Sequence, residues 1–271
     1  MTKHISHELK GSNTEARLNN LARRRFVKST ATLAGAALFS GSPGTLDAKA
    51  KQPGCSEWTQ PTEADFNAIV GKDKAEFLDR VLGVIEHEVV PKTHKGVNEG
   101  NKLFGAAILN KSDLSTVIAT SNAETGNPLF HGEVQAIFEY YDLPKDKRPS
   151  PKESIFIATH EPCPLCLSSI TWGGWDNFFY LFSYEDSRDA YGIPHDIVML
   201  DEIFRCPEGT YNEKNTFWSS WSIRNLIASL PDEQQAAFNI RVAALKVKYA
   251  ELSDVYQKAK AAGEGADVPL K

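Results

Sequence analysis

The chain has 271 residues, 41% hydrophobic and 24% charged, enough apolar material for one sizeable core or two small ones, which excludes fibrous and wholly disordered classes. No run of eighteen apolar residues occurs, so a conventional membrane-spanning helix is not expected. The formal net charge of -5 is unevenly spread: residues 1–50 hold eight Lys or Arg against three acids, and the rest hold 22 bases against 32 acids. So acidic a body disfavours a polynucleotide partner, since phosphate binding draws on clustered Lys and Arg.

Near the start, Arg23-Arg24-Arg25-Phe26-Val27-Lys28 precedes a weakly apolar run from Ala31 to Phe39 and then Ala48-Lys49-Ala50. Basic region, apolar region and small-x-small cleavage site stand in the order of an export signal, and the arginine pair resembles a twin-arginine signal. Residues 1–50 are therefore expected to be an address read by the twin-arginine export machinery, which carries folded cargo to the periplasm. The apolar run is too short and too rich in small residues for a stable membrane anchor. A basic tail with no transport role is the alternative. Lipidation of Cys55 is disfavoured, because Gln52-Pro53-Gly54 lacks an aliphatic residue three places before it.

Beyond Lys51 the pattern is α/β. Apolar residues fall at helical spacing from Glu63 to Val90, broken near Gly71. Leu103 to Leu109 and Val117 to Thr120 read as a hairpin, His131 to Tyr141 as a helix and Ser154 to Ala158 as a buried strand. Cys163 to Trp172 reads as a helix and Phe178 to Tyr184 as an aromatic strand; helical segments follow around Trp218 to Leu230 and from Asp232 to Lys260. Such alternation implies a sheet with helices on its faces.

The chemistry concentrates in two short stretches. Cys163-Pro164-Leu165-Cys166 opens a helix after a strand, where exposed N–H groups and the helix dipole favour thiolates. Alone it fits half a zinc ribbon or a redox pair. His131-Gly132-Glu133, also at a helix start, completes the strand, His-x-Glu helix, strand, Pro-Cys-x-x-Cys helix order of the zinc deaminases. One imidazole and two thiolates leave Zn²⁺ a fourth tetrahedral position for a water, which the metal acidifies towards hydroxide for attack on the amine-bearing ring carbon. Glu133 can then shuttle protons without ligating the metal. His160, three residues before Cys163, would make the zinc structural if it closed that fourth position.

On these motifs, residues 75–205 resemble the cytidine deaminase-like superfamily, and within it guanine deaminases and the related tRNA adenosine and cytosine deaminases. Phe104-Gly105-Ala106-Ala107-Ile108 looks like the family's first strand, and Glu161-Pro162-Cys163-Pro164-Leu165-Cys166-Leu167 with Ile170-Thr171-Trp172 is similar to the guanine deaminase cysteine helix. The resemblance implies a three-layer α/β/α sandwich with a mixed sheet of about five strands, a bound Zn²⁺, a small nucleobase or nucleoside as substrate, and commonly a homodimer. It implies that Asn122 contacts substrate, that Asp196, in Ala190-Tyr191-Gly192-Ile193-Pro194-His195-Asp196, reaches the purine edge, and that Trp172 is a candidate pocket residue. Position 132 is Gly where guanine deaminases usually have Ala, and the C-terminal tail is longer than the family's.

The expected division is an export signal over 1–50, a zinc deaminase domain over 51–206 and a helical C-terminal extension over 207–271. Cys55 and Cys206 stand outside the zinc set, and in an oxidising compartment they either form a disulfide or remain two separate thiols. Two other functional classes stay open: a thiol–disulfide oxidoreductase using Cys163 and Cys166, and a catalytically silent zinc-fold binding module. Within deamination, guanine leads cytosine and tRNA adenosine.

The export reading has a direct test. Replacing Arg23 and Arg24 together by Lys keeps the charge but removes the pair that the receptor reads. Cell fractionation is expected to find this variant in the cytoplasm; unchanged periplasmic delivery would exclude the twin-arginine route.

Overall fold

The computed structural model describes residues 58–263; the expected export signal and Cys55 lie outside the described residues. The first helix, α1 (Glu63–Val70), starts at a capping box in which the Thr62 hydroxyl accepts from Asp65 N–H and the Asp65 carboxylate accepts from Thr62 N–H. It stops at Gly71, whose φ of 62° suits a residue without Cβ. Asp73 caps α2 (Lys74–Val84). The chain then passes through a π-helical turn (Ile85–Val89) into α3 (Val90–Asn98). Pro91 explains that turn: its missing N–H and its ring disrupt regular α-helical bonding, and Val90 N–H bonds five residues back to Ile85 O. The helix therefore runs past the Val90 limit expected from its apolar pattern.

The hairpin is β1 (Gly105–Asn110) and β2 (Thr116–Ser121). After α4 (Gly132–Asp142) come β3 (Ser154–His160), α5 (Pro164–Gly173), β4 (Asn177–Phe182), α6 (Tyr184–Asp189) and α7 (His195–Glu202). The chain finishes with β5 (Ser219–Ser222), α8 (Ile223–Ala228) and the long α9 (Asp232–Ala261). The sheet has the order β2-β1-β3-β4-β5, with β1 antiparallel to β2 and β3, and β3, β4 and β5 mutually parallel. It is the mixed five-stranded sheet between helical layers that the sequence led us to expect.

Strand alternation builds both cores. Ala107, Leu109, Ile155, Ile157, Phe179 and Leu181 face one layer, which includes α2, α3 and α9; Ala106, Ile108, Phe156, Ala158, Phe178 and Tyr180 face the other, formed by α4 and α5. Among the described residues no helix is long and apolar enough to cross a membrane.

One element corrects the sequence reading. Ser219–Ser222 lies in a stretch expected to be helical, yet it pairs with β4 from Asn177↔Ser219 to Tyr180↔Ser222. A four-residue run of three serines and a tryptophan carries no readable periodicity, and it becomes a strand because the edge of β4 offers it partners. The fifth strand thus comes from beyond residue 206, where the deaminase domain was expected to end. Trp221 pins it, stacking on Phe179 at 4.9 Å between centroids and meeting Phe66 edge-on at 6.3 Å. Trp221→Ala is expected to lower stability by about 3–5 kcal/mol, read from urea unfolding; a loss under about 1 kcal/mol would show that this packing does not hold the sheet edge.

Candidate metal centre and active site

Two helix starts meet at the C-terminal ends of β3 and β4. His131 and Cys163 are the residues immediately before α4 and α5, both in extended backbone, and Pro164 occupies the first turn of α5, where its lack of an N–H costs nothing. The Asn122 side-chain oxygen accepts from Gly132 N–H, satisfying an otherwise unpaired donor of the first turn. Behind that turn there is no room: a Cβ on Gly132 would stand 2.8 Å from Gly105 Cα, and one on Gly105 would stand 2.5 Å from Val89 Cγ1. The missing Cβ of Gly132 lets α4 rest directly on the start of β1, and that of Gly105 makes room for Val89.

This packing brings together three metal-ligating side chains. His131 Nδ1 lies 3.4 Å from Cys163 Sγ and 3.7 Å from Cys166 Sγ, and the sulfurs are 3.4 Å apart. Zinc with bonds of about 2.0 Å to nitrogen and about 2.3 Å to sulfur requires donors about 3.5–3.8 Å apart, so the set fits zinc with small adjustment. His131, Cys163 and Cys166 form the only such group among the described residues. His160 is outside it, which leaves zinc three protein ligands and removes the structural four-ligand alternative.

The surroundings control charge. The neighbouring Cys166 thiol, together with His131, holds the Cys163 thiol well below its usual range despite burial, while burial and the anionic groups beside it push Cys166 up. Burial opposes the imidazolium of His131, but its hydrogen bond with Cys163 and the charges of Cys163, Glu124 and Glu133 raise it to about 9. Metal entry must displace these protons. Glu133, 4% exposed, has an oxygen 3.3 Å from Cys166 Sγ, and burial followed by the Cys163 charge pushes its carboxyl up to about 7.

The remaining expected residues divide. Asp196 lines the cavity with His131, Glu133 and the cysteines, and burial pushes its carboxyl up to about 8. Asn122 is buried but committed within the protein, bonding Gly132 and donating to Glu124 at 3.0 Å, and it lines a separate surface groove. In this arrangement its side chain braces the start of α4. Trp172, at the last turn of α5, is 91% exposed and absent from the cavity wall: it ends on the outer surface of its helix. Cys55 lies outside the described residues, and with it the choice between a Cys55–Cys206 disulfide and two separate thiols.

Sequence reasoning missed Lys102 and Glu124. Their buried pair closes at 2.8 Å, and the same Glu124 oxygen lies 3.6 Å from His131 Nε2, on the side of the ring away from the sulfurs. A carboxylate there orients a ligating imidazole and raises its basicity. Twenty-two residues separate Lys102 from Glu124, and no spacing rule links them.

Residues 85–182 match the family model of the cytidine and deoxycytidylate deaminase zinc-binding region. Solved structures similar to the chain include a guanine deaminase from Bacillus subtilis, 27% identical over 44% of this chain and 70% of that one, with a TM-score of 0.31. A guanine deaminase from Nitrosomonas europaea is 14% identical over 78% of this chain and 100% of its own, with a TM-score of 0.33. A tRNA:A34 deaminase is 15% identical over 58% and 99%, also with a TM-score of 0.33. Scores of this size carry no functional argument, which falls to the side chains. No curated protein matches the chain.

Metal content tests the centre. Wild type is expected to hold one zinc per chain, Cys163→Ala and Cys166→Ala to lose it, and Glu124→Gln to bind about 10–100-fold more weakly. Competition with a chromophoric chelator reads all four; zinc retained by both cysteine variants would refute the ligand set.

Proposed function

We propose that the chain is an exported zinc-dependent hydrolase that removes an exocyclic amine from a nucleobase or nucleoside, with guanine the first candidate. The observation that carries this reading is the buried Glu133 carboxyl beside the His131, Cys163 and Cys166 donors, opening on a cavity that Asp196 also lines. Zinc held by those three side chains would supply the Lewis acidity that makes water a nucleophile near neutral pH.

The protein's own groups account for the rest. Glu133, pushed up to about 7, can take a proton from the attacking water and return it to the ring nitrogen and then to departing ammonia. Phe104, Ile193 and Met199 supply apolar walls for a flat heterocycle. Asp196 can accept from an N–H on the substrate edge, the interaction that favours guanine. The acidic body supports a free base over a polynucleotide. An oxidoreductase reading would leave His131 and Glu133 without a task.

Ammonia release from guanine, cytosine, adenine and their nucleosides tests the reading. Glu133→Gln should keep its zinc and lose roughly 10²–10⁴ in rate, and Asp196→Ala should cut guanine turnover more than any cytosine turnover. Activity of Glu133→Gln within a few fold of wild type would sink the proton-shuttle role, and a wild type preferring cytosine would sink guanine.

A further inference from the structure

His160 ends β3, opposite Phe182 in the parallel register, and lines the cavity beside the metal donors without belonging to them. It is 3% exposed. Four rings enclose it: Phe104 at 4.7 Å, Phe182 at 5.1 Å, Tyr191 at 5.2 Å and Tyr249 at 5.1 Å between centroids. Tyr249 comes from α9, and Ser253 and Gln257 of the same helix both donate to the Tyr191 carbonyl at 2.9 Å. The box is thus closed by the C-terminal helix, beyond the matched deaminase region.

One tautomer of the ring satisfies the hydrogen bonds around it. Thr159 Oγ1 accepts from Gly105 N–H at 2.9 Å and gives its single hydrogen to Gly105 O at 3.1 Å. His160 Nδ1 lies 3.0 Å from the same oxygen, a contact satisfied when Nδ1 carries the ring hydrogen. Nε2 is then a bare acceptor, and it is buried with no partner. Burial keeps the ring neutral, well below the usual histidine range. An unmet buried acceptor is costly, by enough to shift an equilibrium about 10- to 100-fold, and it is explained when a ligand supplies the donor.

We propose that His160 is a specificity-determining residue whose Nε2 accepts a hydrogen bond from a ring N–H or amine of the heterocycle bound in the cavity. The proposal rests on the nucleobase reading above. It selects bases that present a donor to the strand-end side of the cavity, a second acceptor beside Asp196. A leucine or phenylalanine would fill the aromatic box equally well but could not make this selection.

The test uses full-length, zinc-loaded protein with ¹⁵N-labelled histidine in the Glu133→Gln background, so that bound base is not turned over. Titration with guanine, cytosine, adenine and their nucleosides is expected to move the His160 Nε2 resonance upfield with one of them, as acceptance of a hydrogen bond does. His160→Asn identifies the resonance by its loss. In the active background, His160→Leu should keep one zinc per chain and lose about 10- to 100-fold in kcat/KM, mainly through KM, with His160→Asn recovering part of the loss.

An Nε2 resonance that no base moves overturns the proposal, as would happen if the Tyr191 hydroxyl already paired with it. So does a folded His160→Leu with kcat/KM within threefold of wild type. Ammonia release with no change at Nε2 removes this proposal and leaves the deaminase reading. A moved Nε2 with no ammonia from wild type does the reverse.

Discussion

The contact between Gly105 and Gly132 is the constraint on which the site depends. Helix α4 carries both His131 and Glu133 at its start, and its first turn lies against the backbone of β1 with no side chain between them. A methyl group at 132 would have to displace backbone, because the nearest atoms are Gly105 Cα, C and N. Asn122 and Thr159 hold the contact from either side, one through Gly132 N–H and the other through both polar groups of Gly105. The His-Gly-Glu form of the motif, which departs from the usual Ala, is therefore a packing requirement of this chain.

With the helix placed, the site gathers buried acids and leaves their charges poorly compensated. Glu133, Asp196 and Glu161 all line the same cavity, and burial raises all three carboxyls, to about 7, about 8 and about 8. Among the described residues, the one lysine of this cavity wall, Lys102, is paired with Glu124. A divalent cation among the thiolates answers that imbalance, and buried carboxyls near neutrality suit proton transfer. Glu161 meanwhile accepts from Tyr184 N–H and from the Tyr211 hydroxyl, so it ties the loop before α5 to the segment leading into β5.

The long C-terminal helix has a structural task that its sequence did not announce. Through Ser253 and Gln257 it holds the Tyr191 carbonyl, and the chain from there supplies Ile193, His195, Asp196 and Met199 to the cavity. Arg241 anchors the other end of the helix to Asp79 and Glu86 on the α2 side of the core. This segment of the cavity wall is thus positioned from outside the region that carries the metal donors.

By itself the sequence located the metal-ligating group, because its members lie in two motifs whose internal spacing, two and three residues, is set by a single helical turn. It also determined the order of strands and helices up to Phe182, where apolar runs are long and bounded by turns. Tertiary structure alone decided the rest. Lys102, Glu124 and His160 act across gaps that no local period encodes, and the brace that Asn122 places on the start of α4 depends on Gly132 N–H lying within its reach. Trp172 shows the same limit: its neighbours in the motif face the interior, but at the final turn of α5 its side chain rotates to the surface. β5 is a strand only because β4 has an open edge, and its four residues carry too little pattern to say so alone.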